Sequence, residues 1–278
     1  MAKGIGLIGN FKGKVGNMVG YHLKDSNNKQ TQGVRVYQPI VKNPKTSAQA
    51  EQRAKLAPIN ATYRVLKMII DRGNEGQPYG NKSRLAWLKR AFKATGMPWF
   101  VKGSTITSPV LCEITRGSLP SIFTPNTEDI NIKLPVAGLL GTETTQGAVC
   151  TKILAAYPQL KVGDQLTAVL LVGLNGSILP YIQSIVLDPD STATLPENIV
   201  ANEGEVEFAG LDEDAATGCL IVSREGSNGE HLRSTETLVQ MAGYNEDLYA
   251  PAAKTAAIES YMSSAASNSD WAEESLQG

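Results

Sequence analysis

Near residue 102 the periodicity of the chain changes, and this limits the available folds more than any single motif does. Before that point apolar residues recur at spacings of three and four. Leu56, Ile59, Tyr63, Leu66 and Ile70 mark one buried helix face. Beyond it, short apolar runs are broken by Gly, Pro, Asn and Asp at hairpin-like intervals: 110–115, 130–134, 148–154, 166–172, 181–187, 205–208, 219–223 and 237–241. The expected fold class is α+β, with N-terminal extended segments plus two helices followed by a C-terminal antiparallel β-sandwich. Three regions are expected: a basic part over 1–102 (hairpin plus helices), an acidic β-sandwich over 103–245, and an Ala/Ser-rich acidic tail or helix over 246–278, starting near Pro251 if helical.

The charge changes sign at the same place. Residues 1–102 hold 19 Lys/Arg and four acids, a balance of +15; residues 103–278 hold 7 Lys/Arg and 23 acids, a balance of −16. The formal charge of −1 hides this split. Such asymmetry points to contact with nucleic acid or a membrane surface, or to electrostatic assembly, and says nothing directly about catalysis.

Within the first region, glycines at 4, 6, 9, 13, 16, 20 and 33 argue against a helix and for short extended pieces. A hairpin is expected with its tip at Asp25-Ser26-Asn27-Asn28 and a return strand at Val34-Arg35-Val36-Tyr37. Asn43-Pro44 breaks the chain, and Thr46 with Gln49 three residues on forms a capping-box pattern. The helix that follows should reach about Asp71, be kinked or split by Pro58, and end on Gly73 as a C-terminal cap. Arg53, Asn60, Arg64 and Lys67 fall within one arc beside its apolar stripe, a basic flank. A second helix is expected from 81 or 83 to 95, with Leu85, Leu88 and Phe92 inward and Lys82, Arg84, Lys89, Arg90 and Lys93 outward. In the β region, Asn175-Gly176 and Asn228-Gly229 read as tight turns.

Patterns that would support catalysis are weak. Gly4-Ile-Gly6-Leu-Ile-Gly9 spells a dinucleotide fingerprint, yet no strand precedes it and the following residues are too glycine-rich for the required helix. His22 and His231 are too few for a His-rich metal centre, and Cys-x-x-Cys spacing is absent. Asp188-Pro-Asp190 and Asp212-Glu-Asp214 lack the glycine and distant glutamate of a calcium loop and read as solvated turns. No Gly-x-Ser-x-Gly elbow occurs. A non-enzymatic protein without catalytic residue, cofactor or metal is expected. Cys112, Cys150 and Cys219 are odd in number, far apart and in apolar surroundings, so buried reduced thiols are expected. No apolar run reaches the ~20 residues of a membrane span, the first residues lack the apolar core of a secretory leader, and no membrane partner is expected.

Two binding modes follow from the charge split. The basic half, interleaved with Tyr37, Tyr63, Trp87, Phe92 and Trp99, could track a phosphate backbone and stack bases without sequence preference, unless those rings are core. Alternatively, opposite charges on each copy attract head to tail and build a ring, shell or tube. The candidate interaction residues for either mode are Asn43, Lys45, Gln49, Arg53, Arg64, Lys67, Lys89 and Arg90.

The segment Gly13-Lys-Val-Gly-Asn-Met-Val-Gly-Tyr21, then Gly33-Val-Arg-Val, then Asn43-Pro-Lys-Thr-Ser-Ala-Gln49-Ala-Glu-Gln-Arg53 resembles a family of uncharacterised proteins from Bacteroidota and their phages. Weaker similarity follows at Thr115-Arg-Gly-Ser-Leu119, at Asp164-Gln-Leu166 and over Leu232-Arg-Ser-Thr235, while roughly 120–160 departs from the family. The resemblance implies no catalytic residues. Similar Asn-Pro-x-Thr-x-x-Gln motifs before a basic helix occur in phage virion proteins, which implies a structural component of a virion (capsid, tail or neck) assembled in the bacterial cytoplasm. Its partners would then be further copies of itself and other virion proteins. The alternatives are a single-stranded or non-specific nucleic-acid binder and a host cytoplasmic β-sandwich binding module. Physically, Thr46 and Gln49 would pin the helix start so that Arg53 projects one turn later to meet a carboxylate or phosphate.

Overall fold

A computed structural model describes residues 12–24, 30–37, 46–125, 129–138, 145–208, 216–227, 229–242 and 245–263. The Gly4–Gly9 motif, the tip at 25–28, Asn43, Lys45, Asp212-Glu-Asp214, Asn228 and the tail beyond 263 lie outside them. The chain divides into two units, 1–45 and 46–278.

The first unit holds three strands, β1 (Gly13–Val15), β2 (Met18–Lys24) and β3 (Gln30–Val36), in the antiparallel order β1-β2-β3. Gly16 at φ +56° makes the first turn, so that Val15 faces Met18, and β2 pairs β3 from Met18 with Val36 to Lys24 with Gln30. Gly33 is required by a close approach: a Cβ there would lie 2.6 Å from the Tyr21 ring, which covers its backbone. The Lys14 ammonium sits 3.7 Å from the centroid of Tyr37. Apolar side chains remain exposed, with Val15 at 49%, Val34 at 51% and Val36 at 72%.

The second unit begins with α1 (Ser47–Val65), α2 (Lys67–Ile70), α3 (Asn81–Ala91), β4 (Glu113–Thr115), β5 (Ile132–Pro135) and α4 (Gln146–Ala156). There follow β6 (Gln165–Leu174), β7 (Ser177–Val186), β8 (Ile199–Asn202), β9 (Glu205–Phe208), β10 (Ala216–Glu225), β11 (His231–Arg233), β12 (Glu236–Thr237) and β13 (Val239–Gln240), then a 3-10 turn at Glu246–Tyr249 and α5 (Pro251–Ser263). The central sheet runs β11-β10-β6-β7, with β13 also on β10; β5-β9-β8 form a second antiparallel sheet and β12-β4 a short pair. The β6–β7 hairpin closes at Asn175 (φ 50°) and Gly176 (φ 75°), a type I′ turn as expected for Asn-Gly.

The central sheet explains how the unit is layered. The run Leu166-Thr-Ala-Val-Leu-Leu-Val172 has too few polar positions to leave either face wet, so both must be covered. Leu166, Ala168, Leu170 and Val172 of β6, with Leu220 and Val222 of β10, share one core with Ile132 and Leu134 (β5), Ile199 (β8), Val206 and Phe208 (β9), and Val149 and Ile153 (α4). This is the part in which two antiparallel sheets share a core. On the opposite face, Val169, Leu171, Cys219 and Ile221 pack with Ile59, Leu66, Ile70, Trp87 and Ala91 of the helices. The helices, expected together with the hairpin in one basic region over 1–102, cover the β region's sheet, and by contacts they belong to the compact unit that starts at 46.

Several local expectations change. Residues 148–154, expected as a strand, lie in α4, because Val149, Cys150 and Ile153 share one buried helical side. α1 runs through Pro58 without a break and ends at Val65, not near Asp71; its buried positions include Ala50, Ala54, Ile59 and Thr62, while Leu56 is 43% exposed. The capping box is half made: Thr46 Oγ1 accepts from the Gln49 N–H at 3.4 Å, but the Gln49 side-chain oxygen has no partner among the described residues. α3 ends at Ala91 and buries Ser83, Trp87 and Ala91, leaving Leu85 exposed. Ser83 sets that rotation, since its hydroxyl donates to the Ile70 carbonyl at 2.6 Å and accepts from Asn74 Nδ2 at 2.8 Å. Gly73 is no left-handed cap; a Cβ there would lie 2.7 Å from the Ile114 carbonyl, so glycine lets β4 approach.

All three cysteines are buried free thiols, and burial pushes the Cys112 thiol up to about 12. No described helix is long and apolar enough to cross a membrane.

Candidate binding groove

The residues singled out from sequence do not converge on one site. Arg53 and Arg64 on α1 and Lys89 on α3 are exposed and make no ion pair among the described residues. Eleven residues apart on one helix, Arg53 and Arg64 lie about 16 Å from each other along its axis. Lys67 is engaged by Asp71, which also accepts from the Tyr63 hydroxyl at 2.9 Å; the hydrogen bond to Asp71 holds the ammonium above its usual range. Arg90, expected outward, is half-buried, with its Nε 2.9 Å from Glu113 Oε1, tying α3 to β4; burial pulls its pKa down against the pull of Glu113. It is a structural cation.

A different set of residues forms a groove. It lies where α2 ends and the sheet's helix-covered face runs on past it. The β10–β11 register sets Ser223 opposite Arg233 and Glu225 opposite His231, and Ser223 is also opposite Gln165 of β6. Ser223, Arg233 and His231 thus stand on the same face as Ile221, where the apolar core gives way to polar side chains. One lobe, about 400 Å³, is lined by Met68, Ile69, Gln165, Thr167, Ser223 and Arg233; the other, about 530 Å³, by Asn74, Glu75, Tyr79 and Glu230; both share Arg72 and His231. These sizes suit small-molecule ligands.

The electrostatics are unusual for a surface with carboxylates nearby. Arg233 is half-buried, its Nε is enclosed without a hydrogen-bond partner, and it forms no salt bridge among the described residues. Burial lowers its pKa; nearby Tyr79 acts against that lowering and the Arg72 charge adds to it. Glu75, which could have neutralised it, is held by other groups: it accepts from the Ser118 N–H at 2.8 Å, the Ser118 hydroxyl at 2.9 Å and the Arg233 backbone N–H at 3.3 Å. Burial pushes that carboxyl up, and these hydrogen bonds outweigh it and keep it below the usual range. Arg224 is likewise spoken for, donating from Nε and Nη2 to Asp164 at 2.6 and 2.7 Å. Tyr79 is exposed and stands at the rim, its ring 5.7 Å from that of His231 and 5.7 Å from the Arg72 guanidinium.

The frame around the groove is tied across long sequence distances. Thr115 Oγ1 donates to the Ser234 carbonyl at 2.9 Å, the Gly117 N–H donates to Thr235 Oγ1 at 3.0 Å, and the Leu119 N–H donates to the Arg233 carbonyl at 2.9 Å. A Cβ on Gly117 would fall 2.1 Å from that Arg233 carbonyl, so glycine is needed there for contact. No motif in the sequence marks Arg72, Tyr79, His231 and Arg233 as a group; the one local signal is Gln77-Pro78-Tyr79, an aromatic placed in a turn between helices.

Asp188 and Asp190 form an exposed turn in which the Asp190 N–H donates to Asp188 Oδ1 at 3.1 Å, and no metal-holding cluster occurs among the described residues. No protein-family model, curated protein or solved structure matches this chain.

Proposed function

We propose that this chain is a non-enzymatic, self-assembling structural protein of a bacteriophage particle, in which the N-terminal unit of one copy docks on the acidic second unit of another. The observation that carries the reading is the three-stranded sheet of the first unit, with Val15, Met18, Val34 and Val36 exposed. Contiguous exposed apolar residues on one sheet face mark an interaction surface. Charge argues for the partner being a second copy: residues 1–45 carry 8 Lys/Arg and one acid, whereas residues 46–278 carry 18 Lys/Arg and 26 acids. Sequence segments that sum to +7 and −8 attract head to tail, the arrangement that closes rings or propagates shells and tubes. The Gly13–Tyr21 and Asn43–Arg53 motifs, with their resemblance to phage-associated proteins, add the virion to the reading.

The test is size-exclusion chromatography with light scattering on the full chain and on a Val34→Asp, Val36→Asp double variant. The wild type should elute as an oligomer at micromolar concentration, and the variant as a monomer with an unchanged thermal melt. A wild-type monomer at every concentration, or a variant that assembles equally well, would overturn the proposal.

A further inference from the structure

We infer that the groove between the α2–α3 turn and β11 binds a single nucleotide unit, with its phosphate held by Arg72 and Arg233 and its base stacked on Tyr79. This does not rest on the assembly reading. Arg72 and Arg233 line the same lobe, Arg233 Nε is enclosed without a hydrogen-bond partner, and neither guanidinium forms a salt bridge among the described residues, which leaves a positive site that an anion would complete. Guanidinium forks match phosphate oxygens, and Arg233, framed by Ser223 on the neighbouring strand, is held in place for that task. The rim supplies a flat apolar surface, since Tyr79 is 52% exposed. Base-on-aromatic stacking needs such a ring and accepts any base.

The other charges nearby set the size of the ligand. Glu75 is occupied by Ser118 and the β11 backbone, but Glu225 and Glu230 are exposed beside the lobes. They leave room for one phosphate and repel a longer polyphosphate. They also offer acceptors to ribose hydroxyls or an exocyclic amine. The combined volume of the two lobes suits one nucleotide.

The experiment is calorimetric titration of the full chain with AMP, adenosine, inorganic phosphate and an eight-nucleotide oligo(dA), using wild type, Arg72→Ala, Tyr79→Ala and Arg233→Lys. Arg72 and Tyr79 are exposed, so their variants should keep the wild-type thermal melt even if Arg233→Lys does not fold. AMP should bind at least about tenfold more tightly than adenosine or phosphate. Arg72→Ala should weaken AMP about tenfold or more, and Tyr79→Ala should weaken AMP while sparing phosphate. Tighter binding of the oligonucleotide than of AMP, lost in the same variants, identifies a strand as the source of the nucleotide; equal or weaker binding identifies the free nucleotide. No saturable binding of any probe up to about 10 mM, beyond which a site has no useful affinity, would sink the inference. So would binding that survives both Arg72→Ala and Tyr79→Ala, or oligonucleotide binding abolished only by Arg53→Ala and Arg64→Ala.

Discussion

The chain contains two three-stranded antiparallel sheets of similar size, and they are built on opposite terms. In β5-β9-β8 each strand alternates strictly, and Ile132, Leu134, Ile199, Ala201, Val206 and Phe208 all point into one core. The outward positions are mostly polar or charged, Val200 and Pro135 excepted, with Lys133 bonded to both Asp129 (2.7 Å) and Glu205 (3.2 Å). In β1-β2-β3 the apolar residues are exposed instead, and glycines occupy 13, 20 and 33 where packing side chains would stand. Alternation decides whether a small sheet is a wall of its own domain or a surface in need of another.

The contrast can be broken most forcefully at Phe208. Replacing it with Ala removes a fully buried ring from the β9 side of the core and should destabilise the second unit by about 3–5 kcal/mol, measured by chemical denaturation. Next, Lys133→Ala should cost about 1 kcal/mol, since it cuts two partly exposed ion pairs on one sheet. Acid should act on the same sheet and spare the other. Burial pushes the Asp129 carboxyl up, but hydrogen bonds from Lys133 and from the Asn131 and Ile130 backbone outweigh it and hold it below its usual range. Its stabilising contribution is therefore present at neutral pH and is lost as pH falls below about 4, through its folded value. The described part of β1-β2-β3 contains no carboxylate to protonate, so its hydrogen-exchange pattern should not follow that transition. The smallest effect is expected for Val36→Ala, within about 0.5 kcal/mol of wild type in the melt of the monomer, because the side chain is 72% exposed. A larger loss there would mean that the first sheet is covered within its own chain.

Much of the β architecture was legible because its signals were local. Glu205–Phe208 alternates over four residues and is a strand as expected, and Asn175-Gly176 can hardly be anything but a hairpin turn. Residues 148–154 misled because a short apolar run suits a buried strand and a buried helix equally, and only the position of the core decides between them. The face of α3 was misread for a related reason: Leu85 and Leu88 outweigh Ser83 in hydrophobicity, yet the Ser83 bridge between Ile70 and Asn74 turns Trp87 inward. The layering of helices on the central sheet was implicit in the two-sided apolar run of β6, although the charge boundary at 102 argued for a separate domain. The groove was not legible at all. Arg72 and Tyr79 come from a turn between helices, His231 and Arg233 from a strand far along the chain, and only the β10–β11 pairing beside the end of α2 unites them.

The packing of α5 against α1 has a consequence in time. Lys254 bonds Glu51 at 3.2 Å and, like Lys55, lies near the Trp99 ring, at 5.2 and 5.8 Å from its centroid; the Lys102 N–H donates to Ser260 Oγ at 3.0 Å. Helices separated by roughly 190 residues of chain must therefore meet before the helical layer is closed. At ribosomal speed that is a delay of about ten to forty seconds after α1 emerges. Throughout it, the N-terminal sheet has already been synthesised while the acidic body that would receive it is incomplete. A nascent chain is thus a donor before it is an acceptor, and assembly of the kind proposed would favour finished chains over those still on the ribosome.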